Sequence, residues 1–533
     1  KLSPQSRNTP ADPHDFTDMI SRMYPTPREF MEMDASQIGA KPVISCEYTH
    51  AMGNSNGGLK MIWDIIHASK RIAGGFIWDW MDQGILAEED GCEQYVYGGY
   101  FGELINDGNF CLNGIINSDQ TVKPVMYECK YVFQPFTFTK FDPRRGNFLI
   151  TNRTAFTHSE AYDFTYEVLA DGKSVATGNF ADLKLAGGAS APVKIPAVES
   201  TTGREYFLNV YAKQKEATTW SEPGYVVASE QFALVPPPAP AAAPDFMTDT
   251  PPLKAANEGG RYVVSGPGFT VAFDRETGYL TELKKRGAYV ITGPVRPNFW
   301  RAVTDNDRAV IRNKPGIKIW KEATTDQQLR DFTTEETDRG TFLVKTTYRL
   351  ANTDLTYHLR YTIRPDGTIA VDNDFIAPNG LDNLPRVGLS LGLAENLTQI
   401  EWYGKGPHEN YVDRNASAFV GRYQTDLAGL GTEFVYPQAN ANRTEVRWAS
   451  FTDGTGTGLQ VSGNFEFSAY EQTLDNLDAA TYRCELTKAD AITLNLDHKQ
   501  QGVGGYNSWS LKAAPLLEHS VLSQRYTFSF TLR

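Results

Sequence analysis

Glu47 is the residue in this sequence best placed to do covalent chemistry. It follows the apolar residues Val43 and Ile44 and is itself followed by the polar stretch THAMGNSNGG. A carboxylate at such a junction can act as a nucleophile, provided a rigid element holds it. The elements on both sides are legible. Val43 and Ile44 form the tail of a short strand. From about Asn56 an amphipathic segment begins, in which Leu59, Ile62, Trp63 and Ile66 recur at spacings of three and four, making one apolar helical face. Glu47 therefore falls where a strand hands over to its helix, which in a (β/α)8 barrel is the catalytic face. GGFIWDWMDQG at 74–84 supplies another strand, GGFIWDW.

Composition bounds the rest. At 533 residues the chain is too long for one core and should divide into roughly three or four domains. A hydrophobic share of 41% and a charged share of 22% are those of an ordinary globular protein. The net charge of −13 argues against nucleic acid, whose backbone needs a clustered basic surface, and suits a neutral ligand such as a sugar. No apolar run approaches the length of a membrane-spanning helix, so no membrane partner is expected. Cys46, Cys92, Cys111, Cys129 and Cys484 form an odd, sparse set with no CxxC pair, which predicts free thiols and weakly favours the cytoplasm over a periplasm.

Three compositional regions follow one another. Residues 1–133 mix short strands (FTDMISRMYP, PVISCEY, GGFIWDW) with amphipathic helices, an α/β pattern of about three strands. Over 134–235 alternation takes over, with Tyr162, Phe164, Tyr166 and Val168 on one face, a turn at Asp171–Gly172, and Leu208, Val210 and Ala212 further on, predicting a β-sandwich. PPPAPAAAP begins a linker over 236–256. Residues 257–533 read as one large all-β domain, in which Leu355, Tyr357, Leu359, Tyr361 and Ile363 alternate up to a Pro365–Asp366–Gly367 turn. TDND at 304–307 reads as a polar loop rather than a calcium site.

CEYTHAMGNS, GGFIWDWMDQ, FCLNG (110–114), GPHENYVDR (406–414) and GVGGYNSW (502–509), in this order, resemble the large bacterial β-galactosidases of glycoside hydrolase family 2. The resemblance implies a multidomain α/β plus all-β chain: the end of a (β/α)8 TIM barrel, an immunoglobulin-like β-sandwich, and a large carboxy-terminal, galactose-mutarotase-like β-sandwich. It implies a retaining exo-glycosidase that releases terminal β-D-galactose, as from lactose, through a covalent glycosyl-enzyme on Glu47. By the same resemblance Tyr24 hydrogen-bonds the nucleophile, His50 contacts the sugar, Trp78 forms an apolar floor, and Trp509 lines the rim where an aglycone stacks. Asn54 holds the loop or caps the helix, and Trp80 packs in the core. Na+ would be held by the Phe110 carbonyl and the Asn113 side chain, which also serves the substrate, and a secondary Mg2+ by Asn106.

What the resemblance lacks is as specific. The family's acid/base glutamate and its primary Mg2+ ligands lie upstream of the nucleophile by more residues than precede Glu47 here, and the Asn257–Glu258 pair stands on the wrong side of it. The chain is thus expected to be the carboxy-terminal half of a homo-oligomeric enzyme, inactive without its amino-terminal half. Two other readings compete: a β-glucuronidase or β-mannosidase of the same family, and a non-catalytic carbohydrate-binding or assembly module.

Overall fold

The computed structural model describes residues 17–35, 41–142, 146–180, 183–195, 201–236, 251–337, 340–351 and 353–533. Strand accounts for 45% and helix for 14%, so the chain is mostly β, with a barrel fragment at its start.

That fragment is a three-stranded parallel sheet: β1 (Ile20–Met23), α1 (Pro27–Ala35), β2 (Val43–His50), α2 (Leu59–Ala68) and β3 (Ile72–Trp78), with β2 in the middle. The helical face expected over 59–66 is real. Leu59, Ile62 and Ile66 are buried with Phe30, Val43 and Ile72, and α3 (Pro124–Val132) adds Val125, Cys129 and Val132 to the same core. The other side of β3 is bare: Phe76 is 63% and Trp78 42% exposed. Trp80, expected in the core, is also 63% exposed. It lies past the end of β3, where the three-stranded sheet offers no facing layer.

A hairpin of β4 (Ile85–Glu89) and β5 (Cys92–Val96) follows. Here the expectation of five free thiols fails, because Cys92 is disulfide-bonded to Cys484, 392 residues away. The hairpin docks on the segment 481–485, where Cys484 N donates to Gln94 Oε1 at 3.0 Å, the Tyr97 hydroxyl donates to Thr481 O at 2.7 Å, and Tyr97 stacks on Tyr482 with ring centroids 4.7 Å apart. An odd count cannot reveal a pair made by such docking. Cys46, Cys111 and Cys129 remain free. The bridge removes the ground on which the cysteine count favoured a reducing compartment.

The alternating region folds as two antiparallel sheets. β6 (Phe136–Asp142), β7 (Asn147–Asn152), β8 (Tyr162–Ala170), β9 (Lys173–Asn179), β10 (Ser190–Lys194), β11 (Tyr206–Gln214) and β12 (Val226–Val235) are arranged as β10-β7-β6 and β12-β11-β8-β9. The two apolar stripes legible in the sequence meet directly across β8 and β11, as Val168↔Leu208, Tyr166↔Val210 and Phe164↔Ala212. Phe136, Phe148 and Ile150 from the other sheet complete one core with them. Beyond Pro236 the proline tract lies outside the described residues.

From Lys254 onward seventeen strands form one continuous hydrogen-bonded network. Leu355, Tyr357, Leu359, Tyr361 and Ile363 are all buried, at most 1% exposed. The region is not purely β, since α4 (Asp305–Asn313), α5 (Ile319–Thr325) and α6 (Leu474–Ala479) interrupt it. TDND is the start of α4 and not a loop. Thr304 caps it, its hydroxyl accepting from Asp307 N at 3.1 Å while Asp307 accepts from Thr304 N at 3.0 Å.

Candidate active site

Glu47 sits near the carboxyl end of the central strand. Its carbonyl accepts from Tyr24 N at 2.7 Å and from the Ser45 hydroxyl at 2.6 Å, and its side chain is among the groups that act on the Tyr24 hydroxyl. The register of β2 slips against both neighbours close to Glu47. Tyr24 and Thr49 take φ values of 50° and 43°, in the left-handed region that non-glycine residues seldom adopt. Such geometry needs outside support. It comes from Lys512, whose Nζ donates to Tyr24 O at 3.2 Å and to Glu29 at 2.7 Å.

Burial, and then the Glu47 carboxylate, raise the pKa of the Tyr24 hydroxyl well above its ordinary value. Tyr24 is therefore a fixed donor toward the carboxylate at any working pH. Asp79, another acid that acts on Tyr24, is itself raised, first by burial and then by Asp82 against the bond from Gln83.

Around this pair the structure gathers an aromatic ring of residues. Trp509 packs edge-on against Tyr24 at 4.9 Å and against His50 at 5.3 Å, and Phe110 stacks on His50 at 5.3 Å. His50 is buried, and that burial pushes its imidazole down to about 4, so it is neutral at pH 7. Its Nδ1 is 2.9 Å from the Ser508 hydroxyl, which leaves Nε2 for another partner. Trp78 pairs with His50 in register and accepts from Ala51 N at 2.8 Å through its carbonyl. Thus Glu47, Tyr24, His50, Trp509 and Phe110 are brought together, and Trp78 stands beside them on the next strand.

The loop after β2 is held by the carboxy-terminal domain. His50 N donates to Gly505 O at 2.9 Å, Gly57 N to Gly504 O at 2.7 Å, and Gly58 N to Asp413 O at 2.7 Å. Only glycine fits at 57, where a Cβ would overlap the Asp413 carboxylate. Asn54 does hold the loop: its amide donates to Glu409 at 2.6 Å and to Ala439 O at 2.9 Å. Gly58, not Asn54, occupies the N-cap of α2.

FCLNG is fixed by a buried ion pair. Lys123 Nζ lies 2.7 Å from Asp82, which also accepts from Gly114 N at 2.8 Å. Asn113 Nδ2 donates to Phe110 O at 2.9 Å, and Asn113 Oδ1 is buried without a partner. An orphaned amide oxygen next to a carbonyl suits a hard cation, so these two residues fit Na+ as part of a ligand set. Asn106 is different. On an exposed turn, it accepts from Gly108 N at 2.9 Å and donates to Glu103 O at 3.0 Å. Among the described residues no group of three or more His, Cys, Asp or Glu could hold a metal.

Two neighbours escaped the sequence reading, Ser508 and Asp79, whereas Asp305 belongs to the TDND segment that the family resemblance already sets near the active site. Asp305 accepts from Asn109 at 2.7 Å, Arg308 at 2.9 Å and Gln438 at 3.0 Å, tying the first turn of α4 to the FCLNG segment. The Thr-x-x-Asp spacing at 304–307 was an available signal for the helix start. Glu258 lies at the end of the strand Lys254–Glu258, exposed, with Asn257 bonded to Arg275 at 2.7 Å.

Residues 9–138 match a family model described as Glycosyl hydrolases family 2, TIM barrel domain, which defines the class as glycoside hydrolase. Residues 148–235 match Beta-galactosidase, domain 4, and residues 265–532 match Beta galactosidase small chain. The chain belongs to the β-galactosidases of glycoside hydrolase family 2. It is similar to a β-galactosidase of Priestia megaterium, 33% identical over 528 residues, covering 98% of this chain and 50% of that protein. A Vibrio cholerae β-galactosidase is 34% identical over 507 residues, covering 92% and 48%. The chain thus spans about half the length of the curated relatives it matches. A galactose 1-epimerase structure from Lactobacillus acidophilus covers 53% of this chain and 97% of its own, at 9% identity and a TM-score of 0.25, too low to carry an argument.

Proposed function

We propose that this chain is the carboxy-terminal half of a retaining exo-β-galactosidase, with Glu47 as nucleophile. The observation that carries the reading is the position of Glu47 near the carboxyl end of a central parallel strand, with Tyr24 bonded to its backbone carbonyl and Trp509 edge-on against Tyr24. Glu47 attacks the anomeric carbon of galactose. The bond to the aglycone breaks, and its oxygen takes a proton from an acid supplied by the amino-terminal half. Water, deprotonated by the same acid's conjugate base, then cleaves the galactosyl ester and restores Glu47. Tyr24 steadies the carboxylate before attack and orients the ester after it. Neutral His50, held through Nδ1 by Ser508, offers Nε2 to a sugar hydroxyl, while Trp78 and Trp509 present apolar surface to the pyranose and the aglycone. Na+, held in part by the Phe110 carbonyl and Asn113, would supply a fixed positive charge for a galactose hydroxyl.

The test is hydrolysis of an aryl β-galactoside by the chain alone, by the chain with its amino-terminal half, and by the same pair carrying Glu47→Gln. Activity appearing only in the unsubstituted pair is expected. A folded pair without β-galactosidase activity would overturn the substrate, and undiminished activity in the variant would overturn the role of Glu47.

A further inference from the structure

The carboxy-terminal domain carries a second concave site whose residues are not among those gathered around Glu47. The strands Gln399–Gly406, Arg443–Thr452 and Gly458–Tyr470 lie side by side, with Glu401 opposite Ser450 and Ser450 opposite Gln460. Trp448, two residues before Ser450, shares that face. With Lys285 and Arg533 these residues line a cavity of about 600 Å3.

Its chemistry is unspent. Among the described residues, the side chains of Glu401, Ser450 and Gln460 make no hydrogen bond within the protein. A concave face offering donors and acceptors that the fold does not use is suited to a hydroxyl-rich ligand. The Trp448 indole stands at the wall with the Arg422 guanidinium over one face, 5.4 Å from the ring centre. Such a wall suits the C–H edge of a pyranose.

The charge narrows the class. Lys285 is half-buried, donates to Gly458 O at 2.9 Å, and has no ion pair among the described residues. Burial, and next Arg533, push its ammonium down to about 8, and Glu401 is not among the groups that act on it. A buried cation without a counter-charge is costly, and an anionic group brought beside it would offset both causes. A neutral sugar would leave Lys285 unmatched, whereas a bare phosphate would leave the polar face unused.

We propose that this cavity is an accessory binding site for an acidic saccharide, with a uronic-acid carboxylate at Lys285 and Arg533, hydroxyls at Glu401, Ser450 and Gln460, and the ring along Trp448. Titration calorimetry on the 533-residue chain tests it with methyl β-D-glucuronide, methyl β-D-galactoside and inorganic phosphate. Saturable glucuronide binding is expected, about 10-fold or more tighter than either of the others, as one charge-assisted contact implies. Lys285→Gln and Arg533→Gln should each weaken it by about 10-fold, whereas Glu47→Gln should not. Arg533 is exposed, so its variant reads the site even if Lys285→Gln perturbs the fold. Absence of binding, equal binding of galactoside or phosphate, or undiminished binding in both cavity variants would overturn the proposal.

Discussion

The barrel fragment and the carboxy-terminal domain are built from similar apolar strands yet end in opposite states. In the fragment, Phe76 and Trp80 face water, each 63% exposed. In the domain, five alternating residues of the strand Leu355–Ile363 are at most 1% exposed. The difference is a missing layer. Three parallel strands have helices on one side only, whereas the network of seventeen folds back upon itself. The candidate chemistry thus sits on the less finished region, and its loop at 51–58 is held through Asp413, Glu409 and Gly504 of the finished one. Stability and reactivity are assigned to different parts of the chain and joined by backbone and side-chain hydrogen bonds, an ion pair and one disulfide.

That division can be broken at several points. The largest effect falls on chemistry alone: Glu47→Gln, assayed in the reconstituted pair, should lower kcat by about 10⁴-fold or more without moving the melting temperature. Next, Leu359→Ala should cost about 2–5 kcal/mol in denaturant unfolding, and Phe76→Ala within about 0.5 kcal/mol; equal costs would mean that the two regions do not differ as described. A third test uses pH. Glu466 is buried beside Asp497, and burial, with lesser repulsion from Asp497, raises it to about 8 from an ordinary 4.5. Asp497 is raised by burial to about 6, held back by Arg386. A carboxyl whose pKa is raised by folding contributes stability below its unfolded pKa and loses it as pH rises through the folded value. Thermal unfolding of the domain should therefore weaken from pH 5 to pH 9, by on the order of 5 kcal/mol, and Glu466→Gln should flatten that slope. Smallest, Tyr24→Phe removes the hydroxyl on which the Glu47 carboxylate acts and should lower kcat about 10-fold, with the fold intact by circular dichroism.

What was legible in the sequence was local or carried by motifs. The face of α2 shows in the spacing of Leu59, Ile62 and Ile66, and the inward faces of β8 and β11 in their two alternating stripes, because side-chain period follows from backbone geometry alone, whereas the pairing of those strands does not. The cluster of Glu47, Tyr24, His50 and Trp509 came from family resemblance, since no periodicity links residue 24 to residue 509. Contacts between distant segments stayed hidden. Cys92 and Cys484 look like an unpaired set until the hairpin docks, and Asp305 reads as loop until its helix is seen to begin there. Ser508 lay inside a recognised motif but was overshadowed by the tryptophan beside it. Trp80 shows the limit of composition: an indole at the end of a strand is core only if another layer exists to cover it.

The bridge between Cys92 and Cys484 also makes the molecule a closed ring of chain with two tails. A protease that cuts once anywhere between those positions yields a nicked species of nearly unchanged mass, and its two pieces separate on a denaturing gel only after reductant is added. Cleavage between residues 47 and 92 sheds the piece carrying Glu47 from a denatured sample at once, so the pattern of fragments with and without reductant maps each cut to the ring or to a tail.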